Sequence, residues 1–139
     1  MTRIMIVEDD PQDMAMLCRS LTPHFEVKSV RTLAEAIVAF AEGHYCAILL
    51  DPGLPDSQAD KTVAAMKRAY PNCAIVVISG SEDPERIKRC ISDSASSYII
   101  KSSNYTETRL VDAINAAMAS NGTCRKAEKI SQTLNGFDI

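Results

Sequence analysis

Acidic residues, one hydroxyl and one amine stand at intervals along the chain, each closing a short apolar run. Glu8, Asp9 and Asp10 follow Ile4-Met5-Ile6-Val7. Asp51 follows Ala47-Ile48-Leu49-Leu50, Ser79 closes the run that begins at Ala74, and Lys101 follows Tyr98-Ile99-Ile100. Two carboxylates about 4 Å apart repel by roughly 4 kcal/mol at an effective dielectric near 20. Acids gathered in one place therefore require protonation or a cation. Oxygen ligands of this kind suit a hard ion such as Mg2+, which takes one or two carboxylates, a backbone oxygen and several waters. Lys101 adds a second positive group and Ser79 a hydroxyl, so the set describes a pocket for a metal-bound phosphoryl group. Each residue alone has a plainer role: an acid at a strand end is often only a helix N-cap, and Asp9 or Asp10 could serve so. Four strand ends carrying acids, a hydroxyl and a lysine in this order are harder to dismiss.

Such residues need elements that bring distant strand ends together. Short apolar runs alternate with segments of helical period. The run 4–7 precedes a predicted helix at about 12–21, with Met14, Leu17, Cys18 and Leu21 at helical spacing. Phe25, Val27 and Ser29 alternate with polar residues as a second strand near an edge. Thr32 and Glu35 form a Thr-x-x-Glu capping box. The helix it opens is predicted to bury Leu33, Ala36, Ile37 and Phe40 and to stop at Gly43. Residues 47–50 are apolar without alternation, as a strand buried on both faces should be. A turn-rich stretch from Pro52 to Ser57 leads into a predicted helix at about 58–69, closed by Pro71. Residues 74–78 read as a fourth strand, and Asp83-Pro84 opens a helix to about residue 92. Residues 98–100 read as a fifth strand. The last helix starts near 104–106 and carries Leu110, Val111, Ile114, Ala117 and Met118. Strand and helix thus repeat five times. That pattern implies an α/β fold, a parallel sheet with helices on both faces, in which ligands bind beyond the carboxyl ends of the strands.

A length of 139 residues fits one domain with a proper core. The 46% hydrophobic and 24% charged content is that of a soluble globular protein. A net charge of −3 argues against a nucleic-acid-binding surface. The five cysteines are odd in number, no pair is spaced Cys-x-x-Cys, and there are two histidines, so a structural zinc site is not expected. Free, mostly buried thiols in a reducing compartment are the expectation. The N-terminus turns acidic after a few apolar residues and is neither a signal peptide nor a membrane span. A cytoplasmic location follows as an expectation.

The segment Ile4-Met5-Ile6-Val7-Glu8-Asp9-Asp10-Pro11 resembles the opening of response-regulator receiver domains of two-component signalling. Ala47-Ile48-Leu49-Leu50-Asp51-Pro52-Gly53-Leu54-Pro55-Asp56 looks like their phosphorylation-site strand and loop. The stretches ending at Ser79 and Lys101 are similar to their last two strands. The resemblance covers roughly residues 2–120. It implies a doubly wound (βα)5 flavodoxin-like sheet of strand order 2-1-3-4-5, with a receiver domain over 1–120 and a C-terminal tail or short extra helix over 121–139. In that last stretch Ala127, Ile130 and Leu134 have helical spacing.

Carried over by position, the resemblance makes Asp51 the phosphoacceptor. Glu8 and Asp9 become the acidic pair for Mg2+ (or Mn2+), Asp9 as a direct ligand and Glu8 through water. Gly53 would lend a backbone carbonyl to the metal. Ser79 would bond the phosphoryl group, Lys101 would pair with it, and Tyr98 would be the aromatic that turns inward on activation. Asp10 falls one position past the pair and reads as the start of the first helix. The implied partners are a sensor histidine kinase or histidine phosphotransfer protein, and a downstream protein on the helix 4–strand 5–helix 5 face. A homodimer is a further option. No direct nucleic-acid or membrane contact is implied. Chemistry is limited to self-catalysed phosphoacceptance and dephosphorylation, so the chain is not expected to be an enzyme in the ordinary sense.

Three departures stand out, one being that small residues, Gly53 and Ser81, occupy positions that tune hydrolysis in receivers. Ser102 follows Lys101 where receivers usually have proline, so the usual cis bond is not expected, a non-proline cis bond costing about 3 kcal/mol. Pro52 directly after Asp51 removes a backbone donor and stiffens the loop. Three competing readings fare less well. A haloacid-dehalogenase-like phosphatase would carry Asp-x-Asp on the first strand, whereas the proposed acceptor is on the third. An interaction module working without phosphorylation is opposed by the intact acids and lysine. A flavodoxin-like cofactor binder would need a Gly-rich phosphate loop after strand one, where acids would repel phosphate.

Overall fold

A computed structural model describes residues 1–101 and 105–121. The apolar runs form five strands: β1 (Arg3–Val7), β2 (Glu26–Val30), β3 (Ala47–Leu50), β4 (Ala74–Ser79) and β5 (Ser97–Ile100). The periodic segments form α1 (Pro11–Leu21), α2 (Leu33–Ala39), α3 (Thr62–Ala69), α4 (Pro84–Ser92) and α5 (Glu107–Asn121), with a short 3-10 turn, Phe40–Glu42, after α2. All strand pairs are parallel and the order is β2-β1-β3-β4-β5, as expected. Every residue of β3 and β4 is buried, whereas edge strand β2 buries only Val30. Central strands covered on both faces are therefore the continuously apolar ones.

Alternating strand residues feed two cores. Met5, Val7, Ile48, Leu50, Ile75 and Val77 pack with Ala36, Val63, Met66 and Cys90 from α2, α3 and α4. Ile4, Ile6, Leu49, Val76 and Ile78 pack with Met14, Leu17, Leu110 and Ile114 from α1 and α5. Two helix starts are set by an acid followed by proline. Asp10 accepts from the Asp13 N–H ahead of Pro11, and Asp83 accepts from the Glu85 N–H ahead of Pro84. The Thr32 hydroxyl accepts from the Glu35 N–H, and the Glu35 carboxylate reaches back to the Arg31 N–H.

Several expectations need correction. Helix α3 begins at Thr62, not near residue 58, because residues 52–61 are committed to turns around the Thr62 hydroxyl. The buried face of α2 is Ala36 and Ala39, with Leu33 partly packed, while Ile37 and Phe40 are 45% and 57% exposed. The small alanines let this short helix lie close to the sheet, and Phe40 instead meets the Tyr70 ring edge-on at 5.1 Å. Gly43 follows the 3-10 turn with an extended φ of 162°. It closes the helical stretch without a left-handed φ, and the Arg3 guanidinium lies against it. Cys18, Cys73 and Cys90 are free thiols, the last two buried. The Lys101–Ser102 peptide and the extra helix expected after residue 121 lie outside the described residues. Among the described residues, no helix is long and apolar enough to cross a membrane.

Candidate functional site

Strand register decides which side chains meet. Val7 pairs with Leu50, and the Asp51 N–H donates to the Val7 carbonyl at 3.0 Å, so the ladder runs one step past both strands. Glu8 and Asp51 are therefore neighbours at the carboxyl edge. Ile100 pairs with Ser79, which sets Lys101 one residue beyond β5 on the same edge. Glu8, Asp9 and Asp51 each offer a carboxylate oxygen, and these oxygens lie within 4.8 Å of one another. The Lys101 ammonium donates to Asp51 Oδ2 at 2.7 Å, to Asp13 Oδ2 at 2.8 Å and to both Glu8 oxygens at 3.2 and 3.3 Å. The Asp51 side chain thus sits beside both Asp9 and Lys101, at the edge of the apolar core.

The remaining expected residues surround this cluster. The Gly53 N–H donates to Asp51 Oδ1 at 2.9 Å and fixes the carboxylate from the loop side. Ser79 is buried, and its Oγ accepts from the Ser81 N–H at 3.2 Å. Tyr98, half-buried on β5, donates its hydroxyl to the Ser81 carbonyl at 2.8 Å, tying β5 to the loop after β4. Asp10 is absorbed by capping, as anticipated. Asp13 was missed. In the first turn of α1 it reads as an ordinary dipole-favoured acid, and nothing in its spacing marks a contact 88 residues away.

Charge in this cluster is unevenly shared. Burial pushes the Glu8 carboxyl up to about 8, helped by neighbouring Asp51 and opposed by Lys101. Burial pushes Asp51 up as well, but bonds from Glu8, Lys101 and the Gly53 N–H outweigh it and leave Asp51 below the usual carboxylate range. A proton shared by the pair therefore resides on Glu8, and Asp51 stays anionic. Lys101 is held well above its ordinary value. Burial alone would lower it, and the bonds to Asp13 and Asp51 overcome that. An anionic Asp51 oxygen beside a permanent ammonium and two further carboxylates can act as a nucleophile toward an electrophilic phosphorus. The three acids are the donor set a hard divalent ion prefers.

The chain matches the family model described as the response regulator receiver domain over residues 4–115. It belongs to that family. It is similar to the swarming motility regulation protein RssB of Serratia marcescens, 30% identical over 118 residues that cover 84% of this chain and 54% of that protein. The chain therefore spans about half the length of this curated relative. Among solved structures it resembles a CheY-like response regulator receiver domain protein from Methanospirillum hungatei JF-1, with a TM-score of 0.78 and 20% identity, covering 88% of this chain and 97% of that one. It also resembles a sensor protein from Polaromonas sp. JS666, with a TM-score of 0.75 and 27% identity over 86% of this chain and 98% of that one.

Proposed function

We propose that Asp51 accepts a phosphoryl group from the phosphohistidine of a sensor kinase or histidine phosphotransfer protein, with Mg2+ or Mn2+, and that this changes the binding of a downstream protein. The observation that carries this reading is the convergence of Asp51 with Glu8, Asp9 and Lys101 at one strand edge. Glu8, Asp9 and Asp51 would hold the cation, with the Gly53 carbonyl completing the set by resemblance. When bound, the cation neutralises charge on the transferring group.

The chain's own groups supply positioning and charge. Lys101 and the Gly53 N–H fix the two oxygens of Asp51. One of them bonds to phosphorus as the phosphorus–nitrogen bond of the donor breaks, and the electron pair leaves on the imidazole. The Ser79 O–H would donate to a phosphoryl oxygen. Any shift of Ser79 strains the Ser81 turn, to which the Tyr98 hydroxyl is bonded. A groove of about 680 Å³ between β5 and α5, lined by residues including Tyr98, Ile99, Arg109 and Asp112, supports a partner surface on that side. Apart from its own phosphorylation and dephosphorylation, the chain turns over no substrate in this reading, and it works in the cytoplasm.

The test is incubation with Mg2+ and acetyl phosphate or phosphoramidate, followed by intact mass spectrometry. The reading expects a gain of one phosphoryl group that is lost in Asp51→Asn. A wild-type protein that stays unlabelled where other receivers are labelled overturns it.

A further inference from the structure

Lys101 is held by a carboxylate for which phosphoryl transfer has no evident use. Its ammonium has three N–H donors, and three carboxylates take them: Asp51 at 2.7 Å, Asp13 at 2.8 Å and Glu8 at 3.2 Å. Asp13 differs from the other two. It stands outside the Glu8, Asp9 and Asp51 set whose oxygens could share one cation. A divalent ion at that set would draw on Glu8 and Asp51 and leave the Asp13 contact intact.

Asp13 is also held in place. Its backbone N–H donates to Asp10 Oδ2 at 2.8 Å, which fixes it in the first turn of α1, where the helix dipole favours a negative charge. The helix cannot slide, because Met14, Leu17 and Leu21 are anchored in the core. We propose that Asp13 is a positioning residue that restrains the Lys101 ammonium before phosphorylation and so slows phosphoryl acceptance at Asp51.

Two effects act in the same direction. An incoming phosphoryl oxygen needs a Lys101 N–H that Asp13 already occupies. Asp13 also adds a further negative charge to a cleft that an anionic donor must enter. With the Asp13 side chain 31% exposed, both effects are partly screened by water and salt.

This inference rests on Asp51 being the acceptor, and the experiment separates the two. Phosphorylation by acetyl phosphate with Mg2+ is followed by intact mass against donor concentration. In this step acetate leaves phosphorus with the electron pair as the Asp51 oxygen bonds to it. Asp13→Asn is expected to raise the second-order rate constant roughly threefold to tenfold at low ionic strength. High salt should shrink the gain, and Asp13→Glu should bring the rate back toward wild type. A structural role in α1 would lower the melting temperature without this charge-dependent pattern.

A second readout needs no phosphorylation. The side-chain nitrogen resonance of Lys101, assigned by its loss in Lys101→Arg, should shift in Asp13→Asn and return in Asp13→Glu. If Asp13→Asn unfolds, Asp13→Ser serves the same comparison. Rates within twofold of wild type, or slower, overturn the inference while labelling of Asp51 stands. A wild-type protein that takes no label overturns the acceptor reading and the slowing with it, even if the Lys101 resonance moves.

Discussion

The Thr62 hydroxyl donates to the Pro52 carbonyl oxygen at 2.8 Å, tying the first residue of α3 to the residue that follows Asp51. Thr62 is wholly buried, and the Ser57 hydroxyl lies 2.7 Å from the Thr62 Oγ1. The loop that carries Gly53 past the acceptor carboxylate is thus pinned ten residues downstream.

Replacing Thr62 with valine keeps the shape and deletes the donor, leaving the Pro52 carbonyl without it. The expected cost is about 1–3 kcal/mol, read as a lower urea midpoint with an unchanged slope. Thr62→Ser should recover much of the loss. The Gly53 amide resonance should broaden in the valine variant, because its loop has lost an anchor.

Asp56 binds the other end of the same loop to α2. Its carboxylate accepts the Leu33 and Ala34 N–H groups at 2.8 and 2.9 Å. These bonds, the Ala34 N–H first, hold the Asp56 carboxyl below the ordinary carboxylate value. A lowered folded value contributes stability that is present above the unfolded value and lost as the pH falls through the folded one. The amide resonances of Leu33 and Ala34 should therefore titrate only on the acid side of pH 4. That titration should vanish in Asp56→Asn.

Core and surface apolar residues of the α2–α3 side should respond very differently. Met66 is fully buried, so Met66→Ala is expected to cost about 2–5 kcal/mol. Ile37, which its sequence spacing would also have placed in the core, is 45% exposed. Ile37→Ala should change stability by less than about 0.5 kcal/mol. Chemical denaturation of both variants checks the contrast.

That contrast marks what the sequence could and could not reveal. Four strands were legible as apolar runs closed by a polar residue, whereas β2 showed only alternation with polar residues, as a half-exposed edge strand does. Leu33, Ala36, Ile37 and Phe40 fit a helical stripe, but periodicity cannot say whether large or small residues face the sheet. Here Ala36 and Ala39 do. The start of α3 was misplaced because Gln58 to Lys61 have acceptable helix propensity, and only the Thr62 bonds show that the chain is still turning. In the site, Glu8, Asp9, Asp51 and Lys101 could be nominated from strand ends. Asp13 could not, since its partner lies on the far side of the chain.

The elevated Glu8 value gives a metal-dependent expectation. Glu8 carries its proton up to about pH 8, from burial first and from Asp51 second. A carboxylate must lose its proton to bind a cation. Titrating chelator-treated protein with Mg2+ near pH 7 should therefore release up to about one proton, measured calorimetrically in buffers of different ionisation enthalpy. In Glu8→Gln the release should disappear. Without the cation, the stability that Glu8 contributes is full below its unfolded value of 4.5 and is lost as the pH rises through about 8. The Glu8 contribution should thus lower the metal-free melting temperature over that interval, and Mg2+ should reverse the trend.

The three carboxylates around Lys101 lie 93, 88 and 50 residues from it in sequence. No fragment ending before β5 contains that cluster, however well its earlier strands are formed. On a ribosome, the amine arrives only after all five strands and the first four helices have been made. Any chemistry that needs it is therefore confined to chains that have finished assembling their sheet, and half-made copies stay silent.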